Sequence, residues 1–366
     1  MMSESLPLTR IVAGLPPMIP FVGPETLERR IGRPFDVRVG ANESAFGISP
    51  KAREAMRGAV ECVAWYNDPD NFDLRTALSA RHGVELDEIC VSAGIDDLLG
   101  LIVRIFVEAG APVVVSQGSY PTFAFHVNGF GGRAELVPYM DDRVDLDGLA
   151  ARVVETGAHV VYLANPDNPM GTWHDAEEVA RFLHALPADC IAILDEAYAD
   201  FAPAAAILPM DVSDRRTIRT RTFSKAHGMA GARVGYALTH ADVVVELEKV
   251  RNHFGVNRVA QAGALASLQD EAFVDDVVAS VAAGRADYDR MAQDLGLSTI
   301  SSATNFVCFD MGSTERAIAT LQSLQERGVF VRMPSSPPQN RCIRVTVGLP
   351  QERRRFETIF KEVLET

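Results

Sequence analysis

The sequence predicts an α/β fold, with a mostly parallel, doubly wound sheet in a large domain followed by a smaller α+β C-terminal domain. Three observations predict it. Seven short runs rich in apolar and β-branched residues lie between Ile89 and Leu238, and several are continuously apolar, as expected of strands covered on both faces. Helical patterns such as Asp96–Phe106 and Asp175–Leu186 separate them, and such alternation builds parallel sheets. In the last third the pattern changes to long helical stretches with a few short strands.

Residues 1–38 are Pro-rich and irregular, and read as an arm joined to the smaller domain. The large domain is expected over 39–245, with strands at Ile89–Ser92, Val113–Ser116, Glu135–Pro138, His159–Ala164, Cys190–Asp195, Arg219–Phe223 and Arg233–Leu238. The small domain is expected over 246–366. Its helical patterns run from about Asp242 and over Asp275–Leu295. Then come a strand at Asn305–Asp310, helix Thr314–Arg327 closed by Gly328, and strands at Val329–Met333 and Cys342–Val347. The segment 335–340, SSPPQN, reads as a loop.

Composition narrows the function. The 366 residues carry 35 Lys+Arg against 49 Asp+Glu, a formal charge of −14, and 47% are hydrophobic. Disorder is excluded by the apolar content, and nucleic acid or anionic membrane is disfavoured as a bulk partner by charge repulsion. A small anion, which feels only its pocket, is not. Residues 109–132 lack Asp, Glu, Lys and Arg, but Pro112, Gln117, Gly118, Ser119, Pro121 and Asn128 interrupt them, so a strand, a turn and a short helix fit better than a membrane span. MMSESLPLTR lacks the pattern of a secretory signal. Cys62, Cys90, Cys190, Cys308 and Cys342 are odd in number, widely separated and without a CxxC, so buried reduced thiols in a cytoplasmic protein are expected, with no metal site.

In open α/β sheets ligands bind beyond the carboxyl ends of the strands, so the residues that follow each strand matter most. After Ser92 come Ala93-Gly94-Ile95-Asp96-Asp97 and a helix; glycine permits close backbone approach and the helix N-terminus suits a phosphate, or this is an ordinary capped helix. After Ser116 come Gln117-Gly118-Ser119-Tyr120-Pro121, where Tyr120 offers a ring face to a planar ligand or simply packs. After Ala164, Asn165-Pro166-Asp167-Asn168-Pro169-Met170-Gly171 holds polar side chains rigidly at a strand end. Apolar residues deliver Asp195 to another strand end, with Tyr198 three residues on. A carboxylate there needs a partner, either a protonated ring nitrogen or a nearby Arg or Lys. Ser224-Lys225-Ala226 then follows a strand directly, with Gly228, Gly231 and Arg233 behind it. An Asp for a pyridinium, a Lys for a Schiff base, and Ser, Arg and a helix N-terminus for a phosphate are what pyridoxal phosphate (PLP) requires.

Taken in order, these segments resemble the class I/II PLP-dependent aminotransferases of fold type I, and most closely their histidinol-phosphate aminotransferase group. The resemblance runs from about Ala41 to Val347. It is carried by Ala41-Asn42-Glu43 with Gly47 and Pro50, Tyr66 before Asp70, Gly94–Asp97, Tyr120-Pro121, Asn165–Gly171, Asp195–Tyr198, Ser224–Arg233, Thr304-Asn305-Phe306 and Arg344–Gly348. It implies that Lys225 holds PLP and later moves the substrate α-proton, and that Asp195 pairs with the pyridine nitrogen. Tyr198 and Asn168 would bond the phenolic oxygen and Tyr120 would stack on the ring. The backbone of Gly94, Ile95 and Asp96, with Ser224 and Arg233, would bind the phosphate, which Tyr66 would reach from the other subunit of a homodimer. Arg344 would take the substrate carboxylate, with Asn42 and Asn168 also at the substrate. The implied reaction passes an amino group to a 2-oxo acid such as 2-oxoglutarate.

The sequence also departs from the family pattern. An early Pro-Tyr-x-Pro is Pro17-Met18-Ile19-Pro20, Phe46 stands where tyrosine is frequent, His227 replaces an aromatic, and Asn168-Pro169-Met170-Gly171 replaces Asn-Pro-Thr-Gly. These changes make the substrate end less polar, so an aromatic or other apolar amino acid competes with histidinol phosphate as donor. Arg332 lies where the family keeps an arginine for the substrate phosphate; a solvated arginine is the other reading. Trp65, Phe123 and Phe125 are expected in the core. A decarboxylase of the threonine-phosphate type shares the scaffold and is the alternative. A non-catalytic sensor would need a basic DNA-binding segment, which the arm does not supply.

Overall fold

The computed structural model describes residues 6–17 and 22–365. In chain order its strands are β1 (Val37–Arg38), β2 (Ile89–Ser92), β3 (Pro112–Ser116), β4 (Arg133–Val137), β5 (Val160–Ala164), β6 (Ile191–Asp195), β7 (Thr217–Thr222), β8 (Gly235–Leu238), β9 (Ser298–Ile300), β10 (Phe306–Asp310), β11 (Val329–Phe330) and β12 (Cys342–Thr346). The central sheet has seven strands in the order β2-β8-β7-β6-β5-β3-β4. Its members run parallel except β8, which is antiparallel to both β2 and β7.

Apolar runs without alternation form these strands because both faces are covered. Val113 and Val115 of β3, with Val160, Tyr162 and Ala164 of β5, join one core; Val114, Val161 and Leu163 join the other. Helices Ile95–Phe106, Pro121–Gly129 and Ala241–Val250 close the first face, and Leu146–Thr156 and Ala176–Ala185 close the second. Each fully buried Val, Leu or Ile contributes about 1.5–3 kcal/mol. The chain passes from β3 outward to β4 and returns beside β3 as β5. The winding direction therefore switches between β3 and β5, which opens a crevice at their carboxyl ends.

A second unit is built on the antiparallel sheet β12-β10-β9, the parallel pair β1-β11, and helices Glu271–Asp294, Thr314–Glu326 and Pro350–Leu364. Its core also takes in Tyr198, Phe201 and Ala226 from the segments beside the crevice. The two units thus share packing beside the site.

The expected strands form within two residues at either end, except that Val329–Met333 is cut short, and several other expectations need correction. The arm is not irregular throughout. Pro24–Ile31 is helical, with Pro24 in the first turn where its missing N–H costs nothing, and β1 joins β11. Met18, Ile19 and Pro20 lie outside the described residues. The cores do not divide at residue 245: Val256, Ala260, Ala264 and Leu268 pack with Leu74, Leu78, Ile89 and Tyr236 of the large unit, so the break falls near Asp270. Helices Pro50–Val60 and Phe72–His82 were not foreseen. β11 stops at Phe330 because Arg332 leaves it to bridge Arg344. Phe123 is buried, but Trp65 and Phe125 are exposed, and Cys62 is only half-buried. Among the described residues no helix is long and apolar enough to cross a membrane.

Candidate active site

Strand ends and the turns that follow them deliver the polar residues into the crevice. Asp195 ends β6 and is buried. It accepts hydrogen bonds from Tyr162 Oη at 2.7 Å and the Ala197 N–H at 3.0 Å, and it makes no ion pair among the described residues. Burial without a cation pushes its carboxyl up to about 6. Its neighbour Glu196 points the other way, into the buried guanidinium of Arg219 and that of Arg221, which hold its carboxyl low against the opposing desolvation. Adjacent carboxylates thus divide the work: one anchors the sheet with two arginines, the other waits on the cleft side.

Lys225 follows β7 after the tight turn Phe223-Ser224. Its Nζ donates to the Asn42 carbonyl at 3.0 Å and lies 5.4 Å from the Tyr198 ring centroid. Asn42 is a junction. It is held at φ 55°, its Nδ2 donates to Tyr198 Oη at 3.0 Å, and its Oδ1 accepts from Thr346 Oγ1 at 3.2 Å. Asn305 Nδ2 donates to the same carbonyl that Lys225 reaches. The lysine is therefore aimed by groups from both units.

The opposite end of the crevice is a cradle. Gly94 caps helix Ile95–Phe106 at φ 92°, and a Cβ there would lie 2.6 Å from Arg233 Nη2. A Cβ on Gly235 would lie 2.7 Å from the Ile95 nitrogen. Arg233, itself at φ 60°, bonds Ser224 Oγ at 3.4 Å and Asp96 Oδ2 at 3.3 Å. Ser224 is further held by Thr222 Oγ1, which accepts from the Ser224 N–H at 3.0 Å. Tyr120 donates to Asp96 Oδ1 at 2.7 Å, which fixes the ring beside the cradle. Helix N–H groups, a serine and an arginine around a space kept open by two glycines are the donor set of a phosphate site.

At the mouth, Arg344 Nη1 donates to Asn168 Oδ1 at 2.6 Å and its guanidinium lies 5.2 Å from the Phe306 ring centroid. Its Nε is buried without a partner. Arg332 is bridged to it through the backbone, donates to the Val22 carbonyl at 2.8 Å and lies over Phe330 at 5.4 Å. Burial and then the charge of Arg344 lower the Arg332 pKa, so the two cations stand close enough to feel one another. Asp167, beside Asn168, is pushed up to about 7 by burial and accepts from Tyr139 Oη at 2.9 Å.

Of the expected residues, Tyr66 alone stands apart. It is exposed and packs on Phe254 at 4.7 Å between centroids. Phe46 packs against the second unit's core, and His227 is buried against Phe223 and Ser267, consistent with a packing residue. Sequence reasoning missed Tyr162. It is the first residue of the β5 run with a hydroxyl, and a tyrosine amid Val160, Val161 and Leu163 was the available signal.

The chain matches the family described as aminotransferase class I and II over residues 36–355. It belongs to that family. The aminotransferase is therefore a PLP-dependent enzyme of fold type I, as the segment order implied. It is 38% identical over 334 residues to histidinol-phosphate aminotransferase 2 of Nitrosospira multiformis, covering 90% of this chain and 84% of that one. Histidinol-phosphate aminotransferase from Sinorhizobium meliloti, solved with pyridoxal-5'-phosphate, superposes with a TM-score of 0.96 at 45% identity, covering 100% of this chain and 99% of that one. L-threonine-O-3-phosphate decarboxylase from Porphyromonas gingivalis gives a TM-score of 0.77 at 21% identity over 90% of this chain and 100% of that one, a likeness of fold alone.

Proposed function

We propose that this aminotransferase takes histidinol phosphate as amino donor and passes the amino group to 2-oxoglutarate. The carrying observation is the buried, cation-free Asp195 facing the crevice that also holds Lys225 and the Gly94–Arg233 cradle. When bound, PLP supplies an aldehyde carbon for the incoming amine and a ring that spreads the electrons left at the substrate α-carbon. Lys225 supplies the tethering amine and, once displaced, takes the α-proton on Nζ and returns it. Asp195 holds a proton at the ring nitrogen. Tyr198 and Asn168 orient the phenolic side, Tyr120 covers the ring, and the backbone of Gly94–Asp96 with Ser224 and Arg233 binds the phosphate. Arg344 grips the carboxylate of the oxo acid, with Asn42 beside it, and Arg332 takes the phosphate of the donor; a guanidinium fork suits both.

The site is completed by a second copy. Tyr66 sits on an exposed apolar surface with Trp65, Val63 and Phe254, and in a homodimer it reaches the partner's phosphate site. Acidic charge and five free thiols support a cytoplasmic enzyme with small-molecule partners and neither nucleic acid nor membrane.

The test is a donor screen with purified holoenzyme and 2-oxoglutarate, including histidinol phosphate, phenylalanine and tyrosine. Glutamate formation fastest from histidinol phosphate is expected, with a borohydride-stable mass increment on the Lys225 peptide. Preference for phenylalanine would overturn the donor, and carbon dioxide released from phenylalanine or tyrosine with no glutamate formed would overturn the reaction.

A further inference from the structure

Asp141 and Asp142 stand consecutively in the left-handed region, at φ 49° and 62°. They form a two-residue turn closed by Met140 and Arg143, whose N–H groups each donate to the other's carbonyl at 2.9 Å. Asparagine and glycine are the relaxed choices for such a turn, so an aspartate at its second position needs a reason. The surroundings of Asp142 supply one. Its carboxylate takes the guanidinium of Arg341 as a fork, with Nη2 to Oδ2 at 2.6 Å and Nη1 to Oδ1 at 3.0 Å. The remaining nitrogen, Nε, donates to Asp310 Oδ2 at 2.8 Å. Arg341 immediately precedes β12, three residues before Arg344, and Asp310 is the partner of Cys342 at the start of that strand. The backbone carbonyl of Asp142 reaches in the other direction, accepting from Thr172 Oγ1 at 3.1 Å. Thr172 follows the loop that presents Asn168.

One residue of the large unit therefore touches both structures whose meeting makes the 2.6 Å contact between Asn168 and Arg344. The bracket is partly buried: the side chains of Arg341, Asp142 and Asp310 are 23%, 15% and 19% exposed, so salt screens it incompletely. We propose that Asp142 is a positioning residue for substrate-carboxylate recognition, holding the Asn168 loop and the Arg344 strand in register. This rests on the assignment of Arg344 to the substrate carboxylate. Asp142 touches no substrate; it acts by setting where the guanidinium fork of Arg344 points. A fork displaced by a fraction of an ångström still binds, but weakly and equally so in ground and transition states.

The experiment compares D142G, which relaxes the turn and removes only the carboxylate, with R344K and the double variant, all as holoenzymes with matched PLP content. D142G is expected to raise KM for 2-oxoglutarate about tenfold with kcat within about twofold, the signature of lost uniform binding. In the R344K background, D142G is expected to add nothing, because the two act as one unit. D142N, which keeps an acceptor for Arg341, is expected to fall between D142G and the parent. If R344K raises KM and D142G does not, or if their effects multiply, the positioning role is overturned while the Arg344 assignment stands. If R344K itself leaves KM unchanged, the assignment fails and the proposal falls with it. A drop in kcat that tracks a lowered Tm, with KM unmoved, would show a structural ion pair only and overturn it as well.

Discussion

Tyr162 donates its hydroxyl to Asp195 Oδ2 across 2.7 Å, strand to neighbouring strand, beneath the crevice. The ring is itself fixed by Phe123, stacked at 4.6 Å between centroids and 17° between planes. The hydrogen bond favours the ionised carboxylate, while burial works against it and wins, leaving the group at about 6. Asp195 is therefore balanced near neutrality before any cation arrives.

Removing that donor tips the balance. In Y162F the Asp195 pKa rises further, so less carboxylate is ionised at neutral pH. A hydrogen bond to a charged group is worth about 1.5–3 kcal/mol, so the acid limb of PLP affinity moves up by about one to two pH units. The sign for the apoprotein is the reverse of the usual salt-bridged aspartate. A carboxyl raised above its ordinary 3.8 stabilises the fold below that value, and this contribution is lost as pH rises through about 6. PLP titrations across pH 5–9 read the limb directly. An unmoved limb in Y162F would show that the tyrosine does not tune Asp195.

Gly94→Ala tests the cradle. The backbone there sits at φ 92° and the new methyl would lie 2.6 Å from Arg233 Nη2. Strain of about 1–3 kcal/mol falls on the loop itself, and Arg233 must move away from Ser224. PLP affinity is expected to drop by more than about tenfold, with far-UV circular dichroism of the apoprotein unchanged. Retained affinity would mean that the phosphate lies elsewhere.

Much of this arrangement was legible because strand ends in such sheets are where ligands bind. Asp195 ends β6 and Lys225 stands just beyond β7, whereas Arg233 comes just before β8 and Arg344 lies within β12, so the strand-end rule picks out the first two and not the last two. The helices Pro50–Val60 and Phe72–His82 were not legible: the first buries only Ala52 and the second has a weak apolar stripe, so neither offers a long run of core residues to mark it. The break near Asp270 was hidden for another reason. Helix Arg258–Leu268 buries small residues, Ala260, Gly263 and Ala264, and only the packing of Pro50–Val60 against it shows which unit it serves. Bonds such as Tyr162 to Asp195 and Arg341 to Asp142 join residues 33 and 199 positions apart and depend on register, which no local pattern encodes.

Glu196→Gln should destabilise the fold rather than the chemistry. Arg219 is 1% exposed and forms its ion pair with Glu196, while Arg221 Nε donates to the other carboxylate oxygen at 2.9 Å. Two guanidinium groups would be left without their anion, and breaking a buried pair costs about 3–5 kcal/mol. Chemical denaturation should show a lowered midpoint at unchanged slope. A midpoint within error of the parent would mean that Arg219 is satisfied by the Leu208 and Pro209 carbonyls alone.

The last prediction concerns the exposed surface of Val63, Trp65, Tyr66 and Phe254, which are 60%, 69%, 79% and 47% exposed. Bulky apolar side chains grouped in this way mark an interface. Tyr66 adds a hydroxyl with no use on its own chain's surface, where its ring packs on Phe254. Trp65→Asp places a charge in the patch and should shift sedimentation from dimer to monomer while weakening PLP binding in step with dissociation. Y66F should leave the dimer intact and weaken PLP alone. Mixing K225A and Y66F protomers decides whether the contact crosses subunits. If Tyr66 serves its partner, the Lys225 of the Y66F protomer meets the Tyr66 of the K225A protomer, so one of the hybrid's two sites is intact and the other lacks both residues; if Tyr66 serves its own chain, neither site is intact. Such hybrids should recover about half the PLP-binding capacity at parental affinity. Recovery only at the weakened affinity of Y66F would place the hydroxyl's partner within one chain.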